Sequence, residues 1–252
     1  MNLSARPLFA ALSIGLLSST LAVAASPASH WEYTGEKGAA HWSEVDPAFA
    51  TCAMGHLQSP INIDHAVKAD LPPLNFHYGS AAPTIWNNGH TVQVNLPAGN
   101  TLDVGGQTYE LLQFHFHTPS EERIKGKSTP MVVHLVHKNA AGELGVVAVL
   151  IQAGAANAAL TPVFQHLPRP GEKITVDALS LDLAALLPKT LGYYDFAGSL
   201  TTPPCSEGVH WMVLKTPATL SAAQIAAFRK LIGSNARPVQ PLNGREVKES
   251  GD

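Results

Sequence analysis

The 252-residue chain is poor in charge of both signs, with sixteen Lys and Arg against nineteen Asp and Glu, and nowhere are the basic residues gathered into a patch. That argues against nucleic acid as a partner. Beyond the N-terminus no apolar run is long enough to cross a bilayer. No internal repeat and no low-complexity linker divides the chain. A His-Glu-x-x-His helix, the mark of a large class of zinc hydrolases, is also missing. Helical patterns are few and short. What remains is enough chain for one sizeable core and a sequence dominated by strand-like runs.

The first 24 residues read as a secretory signal peptide. Arg6 supplies a positive start, residues 8–23 are apolar and small, and Ala22-Val23-Ala24 is a small-x-small cleavage site. The apolar run is short and Ser-rich for an anchor. Residues 25–252 then form a single exported domain, periplasmic or secreted, with no membrane association once the signal is removed. Without Arg6, fifteen Lys and Arg stand against nineteen Asp and Glu, a mildly acidic balance. The only two cysteines are Cys52 and Cys205. In an exported protein a disulfide between them is the default, and two buried thiols are the alternative.

The informative stretch is Gln113-Phe114-His115-Phe116-His117, which Tyr109, Leu111 and Leu112 extend upstream. Strand alternation turns His115 and His117 to one face and both phenylalanines to the other. A second strand-like run, Met131-Val132-Val133-His134-Leu135-Val136-His137, follows a polar loop containing Gly126. Three neutral imidazoles from two neighbouring strands, with a fourth position open, are the ligand set of a catalytic zinc site, and His134 is the natural third member. A single histidine in a strand is more often a hydrogen-bonded structural residue, and one His-x-His pair alone is a weak signal.

Elsewhere, residues 91–96 alternate strictly, while 146–151 and 209–214 are continuous apolar runs between Gly- or Pro-bearing turns. The clearest helix starts at Ser221. Ser221 and Gln224 form a capping box, Leu220 and Ile225 sit at the staple positions, and Phe228 and Ile232 carry the apolar stripe to Gly233. A second helix is expected from Asn157 to Leu167, ended by Pro168.

Six blocks follow one another in a fixed order: Gln58-Ser59-Pro60-Ile61-Asn62-Ile63, Asn87-Asn88-Gly89-His90, Gln113-Phe114-His115-Phe116-His117, His134-Leu135-Val136-His137, Gly198-Ser199-Leu200-Thr201-Thr202-Pro203-Pro204-Cys205, and Arg237-Pro238-Val239-Gln240-Pro241-Leu242. In these blocks and their order the chain resembles the α-class carbonic anhydrases of bacteria. The resemblance runs over residues 31–245. It implies a mainly β fold: a large, twisted, mostly antiparallel sheet with a few short surface helices and zinc at the base of a cone-shaped cleft. It implies the Cys52–Cys205 bridge, and a monomer or homodimer. The implied activity is reversible hydration of carbon dioxide to bicarbonate and a proton by a zinc-bound hydroxide.

Residue by residue, the resemblance assigns zinc to His115, His117 and His134. Thr201 matches an orienting threonine with Glu121 as its carboxylate partner, and His90 matches a proton shuttle. Val136, Val146, Leu200, Thr202, Val209 and Trp211 match the substrate pocket. Tyr33, Asn88 and Gln93 match residues that hold the water network, with Gln93 where asparagine is often found. Gln113 and Glu122 fall behind the ligands. The departures gather behind His134: Val132 stands where a glutamate usually accepts the ligand's second ring N–H, Glu122 where histidine or asparagine is usual, and Phe196 where tyrosine is frequent. Thr129 also departs from the pattern. We expect the lost carboxylate at 132 and the gained one at 122 to be one exchange, with Glu122 accepting from the His134 ring. The alternative function for such a chain is a carbonic-anhydrase-like zinc- or ligand-binding protein with little hydration activity; retention of all three ligands favours the enzyme.

Overall fold

The computed structural model describes residues 1, 29–175 and 180–251, so the signal peptide expected at 1–24 lies, apart from Met1, outside the described residues. Among the described residues a thirteen-stranded sheet forms the body of the protein. Seven strands position the site. They are β1 (Thr84–Asn87), β2 (Val92–Asn95), β3 (Gln107–His117), β4 (Met131–Asn139), β5 (Leu144–Ala153), β6 (Tyr193–Ser199) and β7 (Glu207–Leu214). Their spatial order is β1-β2-β3-β4-β5-β7-β6. Every pairing in this set is antiparallel except β5 with β7. That parallel pair needs a long connection, and residues 154–206 supply it.

Alternation holds at 113–117 but not through the whole of β3. Val136 pairs with Gln113 and His137 with Leu111, which leaves Leu112 as an extra residue in a bulge. The bulge reverses the phase of the strand. Tyr109 and Leu111 therefore join Phe114 and Phe116 in one hydrophobic cluster, with Val133, Leu135, Val147 and Val149. The opposite face of the sheet carries a second cluster built on Val132, Val146, Ala148, Phe196, Val209 and Trp211. The histidines lie on this second face.

Two helices cover the first cluster. In α2 (Ala222–Ile232), the Ser221 side chain accepts from Gln224 N and the Gln224 side chain accepts from Ser221 N, and Gly233 at φ 79° ends the helix. The expected helix over 157–167 is reduced to α1 (Thr161–Gln165). Pro162 has no N–H to donate and is tolerated only in the first turn, so the helix starts at Thr161 and not at Asn157. Phe164 of α1 and Phe228 of α2 meet the Phe116 ring at 5.6 and 5.8 Å between centroids. Phe116, between the two histidines, thus locks the histidine-bearing strand to the helical layer. Cys52 and Cys205 are joined in a disulfide across 153 residues.

Candidate metal centre

The register of β3 and β4 puts His134 directly opposite His115 and Val132 opposite His117. Each of the three histidines offers a ring nitrogen, and these atoms lie within 4.8 Å of one another. In each ring the other nitrogen is already engaged. His115 Nδ1 bonds Gln113 Oε1 at 2.9 Å, and His117 Nδ1 donates to the Asn235 carbonyl at 2.7 Å. His134 Nε2 donates to both oxygens of Glu122, at 3.0 and 3.2 Å. Those bonds select the tautomers and leave Nε2 of His115, Nε2 of His117 and Nδ1 of His134 as bare lone pairs.

The fit to a metal can be tested on the polar groups themselves. His117 Nε2 and His134 Nδ1 are buried and have no hydrogen-bond partner, a costly condition for two groups in the same place. Burial, with the neighbouring His134, lowers the His115 pKa to about 3, and burial likewise holds His117 well below its ordinary value. Both rings are therefore neutral donors at physiological pH. For His134 burial pulls downward, but the charge and hydrogen bond of Glu122 and the charge of Glu121 outweigh it and leave the pKa raised. Three neutral or carboxylate-backed imidazoles with convergent lone pairs are the donor set that zinc takes.

The Glu121 carboxylate sits beneath this cluster, with Oε2 3.4 Å from His117 Nε2. Its Oε1 accepts from Arg237 N at 2.8 Å, while Oε2 has no partner. Burial raises its pKa to about 8, the Glu122 charge adds to that, and His134, Arg237 and the Thr201 side chain oppose it. A divalent cation at the histidines would add a strong opposing charge. Thr201 is buried in the loop after β6, near enough to act on Glu121, and the backbone of that loop is pinned by Leu200 N to Ser206 O and Cys205 N to Thr202 O, both 2.9 Å.

Val136, Val146, Leu200, Val209 and Trp211 belong to the single apolar cluster on the histidine face. The Trp211 ring stands edge-on to His134 at 5.0 Å. The Phe196 ring lies parallel to that of Trp211, with centroids 6.2 Å apart and 3° between planes. The replaced residues behind the third histidine are thus apolar packing plus one carboxylate, Glu122.

His90 is half-buried on the turn between β1 and β2. Asn88 Oδ1 accepts from His90 N and Thr91 N, both at 2.9 Å, a turn that Asn favours and that Gly89 at φ 89° permits. Asn88 Nδ2 also reaches Gln93 Oε1 at 3.5 Å, and Gln93 lies opposite His115 on β2. Tyr33 faces the His90 ring edge-on at 6.4 Å, and burial raises its phenol pKa well above the ordinary value. Two participants were not expected from the sequence. Trp31 lies flat on His90 at 3.7 Å, and Asn235 binds the His117 ring through its carbonyl while its amide donates to the carbonyls of His90 and Phe116. Neither carries a periodic or spacing signal, because both act from segments distant in sequence.

The comparisons agree with this geometry. Residues 37–251 match the family described as eukaryotic-type carbonic anhydrase. A carbonic anhydrase of Pectobacterium atrosepticum is 47% identical over 233 residues, covering 92% of this chain and 96% of that protein. The solved α-carbonic anhydrase of Photobacterium profundum is 48% identical with a TM-score of 0.82, covering 86% of this chain and 99% of that one. The Thermovibrio ammonificans enzyme, solved with the inhibitor sulfanilamide, is 42% identical with a TM-score of 0.86 and covers 88% and 100% of the respective chains. With the three convergent histidines in place on the same fold, the chain belongs to the α-class carbonic anhydrase family.

Proposed function

We propose that this chain is an exported zinc enzyme that interconverts carbon dioxide and bicarbonate, with His115, His117 and His134 as ligands, Thr201 and Glu121 as the orienting pair and His90 as the proton shuttle. The observation that carries the reading is the pair of buried, unpartnered nitrogens, His117 Nε2 and His134 Nδ1, facing a third imidazole. Zinc held there supplies the positive charge that lets a coordinated water ionise far more readily than in bulk, as is established for carbonic anhydrases generally.

The chain's own residues do the rest. In this reading the Thr201 hydroxyl turns to donate to Oε2 of Glu121, which has no partner in the structure, so its lone pairs can only accept, and it thereby fixes the direction of attack. Carbon dioxide is apolar, and the wall of Val136, Val146, Leu200, Val209 and Trp211 excludes water where it must sit, with Thr202 assigned to the same pocket. His90 then moves a proton toward solvent through waters held by Tyr33, Asn88 and Gln93. Burial lowers its pKa, which favours release over retention. Residues 1–24 are the signal peptide in this reading, residues 25–252 are one catalytic domain, and the disulfide suits an oxidising periplasmic or extracellular location.

The test is stopped-flow carbon dioxide hydration on the purified mature chain of measured zinc content. One zinc per chain with rapid hydration is the expected result. A chain that binds no zinc after reconstitution, or binds it without hydration activity, refutes the reading.

A further inference from the structure

A cavity of about 500 Å³ opens beside the disulfide, between the short helix Thr51–Met54 and the segment 237–243, and none of the three convergent histidines lines it. Its volume is that of a small-molecule site, about 300–1,000 Å³. Buried Cys52, Gln58 and Arg237 line its inner wall, and exposed Ala53, Met54 and Pro241 line its mouth. Arg237 is the one permanently charged residue of the lining, and no acidic residue belongs to it.

Arg237 is incompletely paired. A guanidinium has five N–H donors. Nη1 donates to Gln58 Oε1 and Ser59 O at 2.9 and 2.7 Å, and Nη2 donates to Cys52 O at 2.8 Å, all of them neutral acceptors. Nε is buried with no partner, and Nη2 makes no second bond. Among the described residues no carboxylate contacts the guanidinium. Glu121 is held by the Arg237 backbone N, and Glu207 is taken up by Leu57 N and Gln58 Nε2 at 2.7 and 3.0 Å. The Trp42 ring, 5.4 Å from the guanidinium carbon, keeps the group in place. A buried cation with open donors and only neutral partners is costly until an anion meets it. Two N–H groups on one guanidinium are the fork that a carboxylate takes.

We propose that this cavity binds a small monocarboxylate with a compact apolar body, the carboxylate on Arg237 and the body against Ala53, Met54 and Pro241. One guanidinium balances one negative charge, so a dicarboxylate or a phosphate dianion would bring in a charge that nothing in the lining meets. The Met54 side chain, 71% exposed, is left in solvent at the mouth, and a thioether adapts its shape to what it covers. Nothing in the proposal depends on the metal centre.

The test is a benzoate titration of the zinc-loaded mature chain carrying carbon-13 methyl-labelled methionine, read by NMR. Met54 lines the cavity, whereas Met131 and Met212 are fully buried in the first hydrophobic cluster. The Met54 methyl should shift saturably in the millimolar range while the other two stay still. Benzamide has the same shape without the charge and should bind roughly tenfold more weakly. Ala53→Leu fills the mouth and should abolish the Met54 shift with zinc content unchanged. Arg237→Gln should bring benzoate down to the level of benzamide; where that variant does not fold, benzamide and Ala53→Leu decide the matter without it. A Met54 methyl that benzoate leaves unmoved overturns the site, including the case in which benzoate binds only at the zinc. Equal binding of benzamide overturns it, because the guanidinium would then play no part. A Met54 shift that persists unchanged in Ala53→Leu also overturns it, since benzoate would then lie outside the cavity.

Discussion

Replacing Glu122 should loosen zinc without disturbing the fold. Its carboxylate takes the His134 ring N–H at 3.0 and 3.2 Å, with both side chains essentially inaccessible. A hydrogen bond to a charged partner in such surroundings contributes about 1.5–3 kcal/mol, which at ~1.4 kcal/mol per decade is roughly 10–100-fold in zinc affinity. That agrees with the range of about 10–100-fold for groups that hold a metal ligand from behind. The two natural substitutions should separate within it. Glu122→Gln keeps an acceptor of the same shape and loses the charge, so zinc should leave about tenfold faster; Glu122→Leu loses both, and the effect should approach 100-fold.

The assay is zinc dissociation into an excess of chelator, read with a zinc-sensitive dye, and it reports on the metal independently of turnover. Val132 offers a control, because it lies two residues before His134 on the same face of β4 and its side chain is fully buried. Adding Val132→Glu to Glu122→Gln places a carboxylate on the strand itself and should slow zinc loss again. Zinc leaving Glu122→Leu no faster than wild type would refute the reasoning, because the His134 orientation would then be set by something other than this carboxylate.

Three further outcomes follow from the geometry. Thr201→Ala should lower carbon dioxide hydration by roughly 100-fold with zinc content unchanged, since orientation is lost and the ligands are intact; loss of zinc in that variant would argue against the orienting role. Converting Cys52 and Cys205 together to Ser should lower stability in urea by about 2–5 kcal/mol, since the bridge closes a span of 153 residues, and an unchanged midpoint would contradict this. The third concerns His137, whose Nε2 accepts from the Tyr78 hydroxyl at 2.5 Å and whose pKa burial lowers to about 4. An unfolded-chain histidine has a pKa of about 6.5, so as pH falls the unfolded state takes the proton first. Stability is complete above pH ~6.5 and is lost progressively down to pH ~4, on the order of 3 kcal/mol across that window. His137→Gln should lack that component, and a stability difference between wild type and variant that stays flat from pH 7 to 4 would show the assignment to be wrong.

The legible parts of this protein were those where one residue's position implies its neighbour's. Residues 113–117 alternate because the strand is packed on both faces, so His115 and His117 had to share a side. Ser221 and Gln224 bind each other's backbone, so their spacing alone announces the helix start. The resemblance to a known family placed Glu122 behind His134, which no periodicity could have done. The illegible parts act across the fold. The Leu112 bulge leaves no mark in composition, yet it decides which face Tyr109 and Leu111 occupy. The 157–167 stripe reads as helix because an apolar period is blind to the N–H that Pro162 lacks.

Asn235 and Arg237 explain why so much of the centre is organised from a segment that contributes no atom to the chemistry. The Asn235 carbonyl sets the His117 tautomer, its side-chain oxygen takes Thr118 N at 2.8 Å, and its amide holds the carbonyls of Phe116 and His90. Two residues on, Arg237 N fixes Glu121, and the Arg237 guanidinium, itself buried, gathers the carbonyls of Cys52 and Ser59 and the side chain of Gln58. The backbone groups around a buried metal centre need hydrogen-bond partners in any case. Taking those partners from one short segment ties His117, the His90 turn, Glu121 and Cys52 of the disulfide to a common reference. The distances among them are then set by a single piece of backbone, which fixes the His117 lone pair, the Glu121 carboxylate and the His90 turn relative to one another.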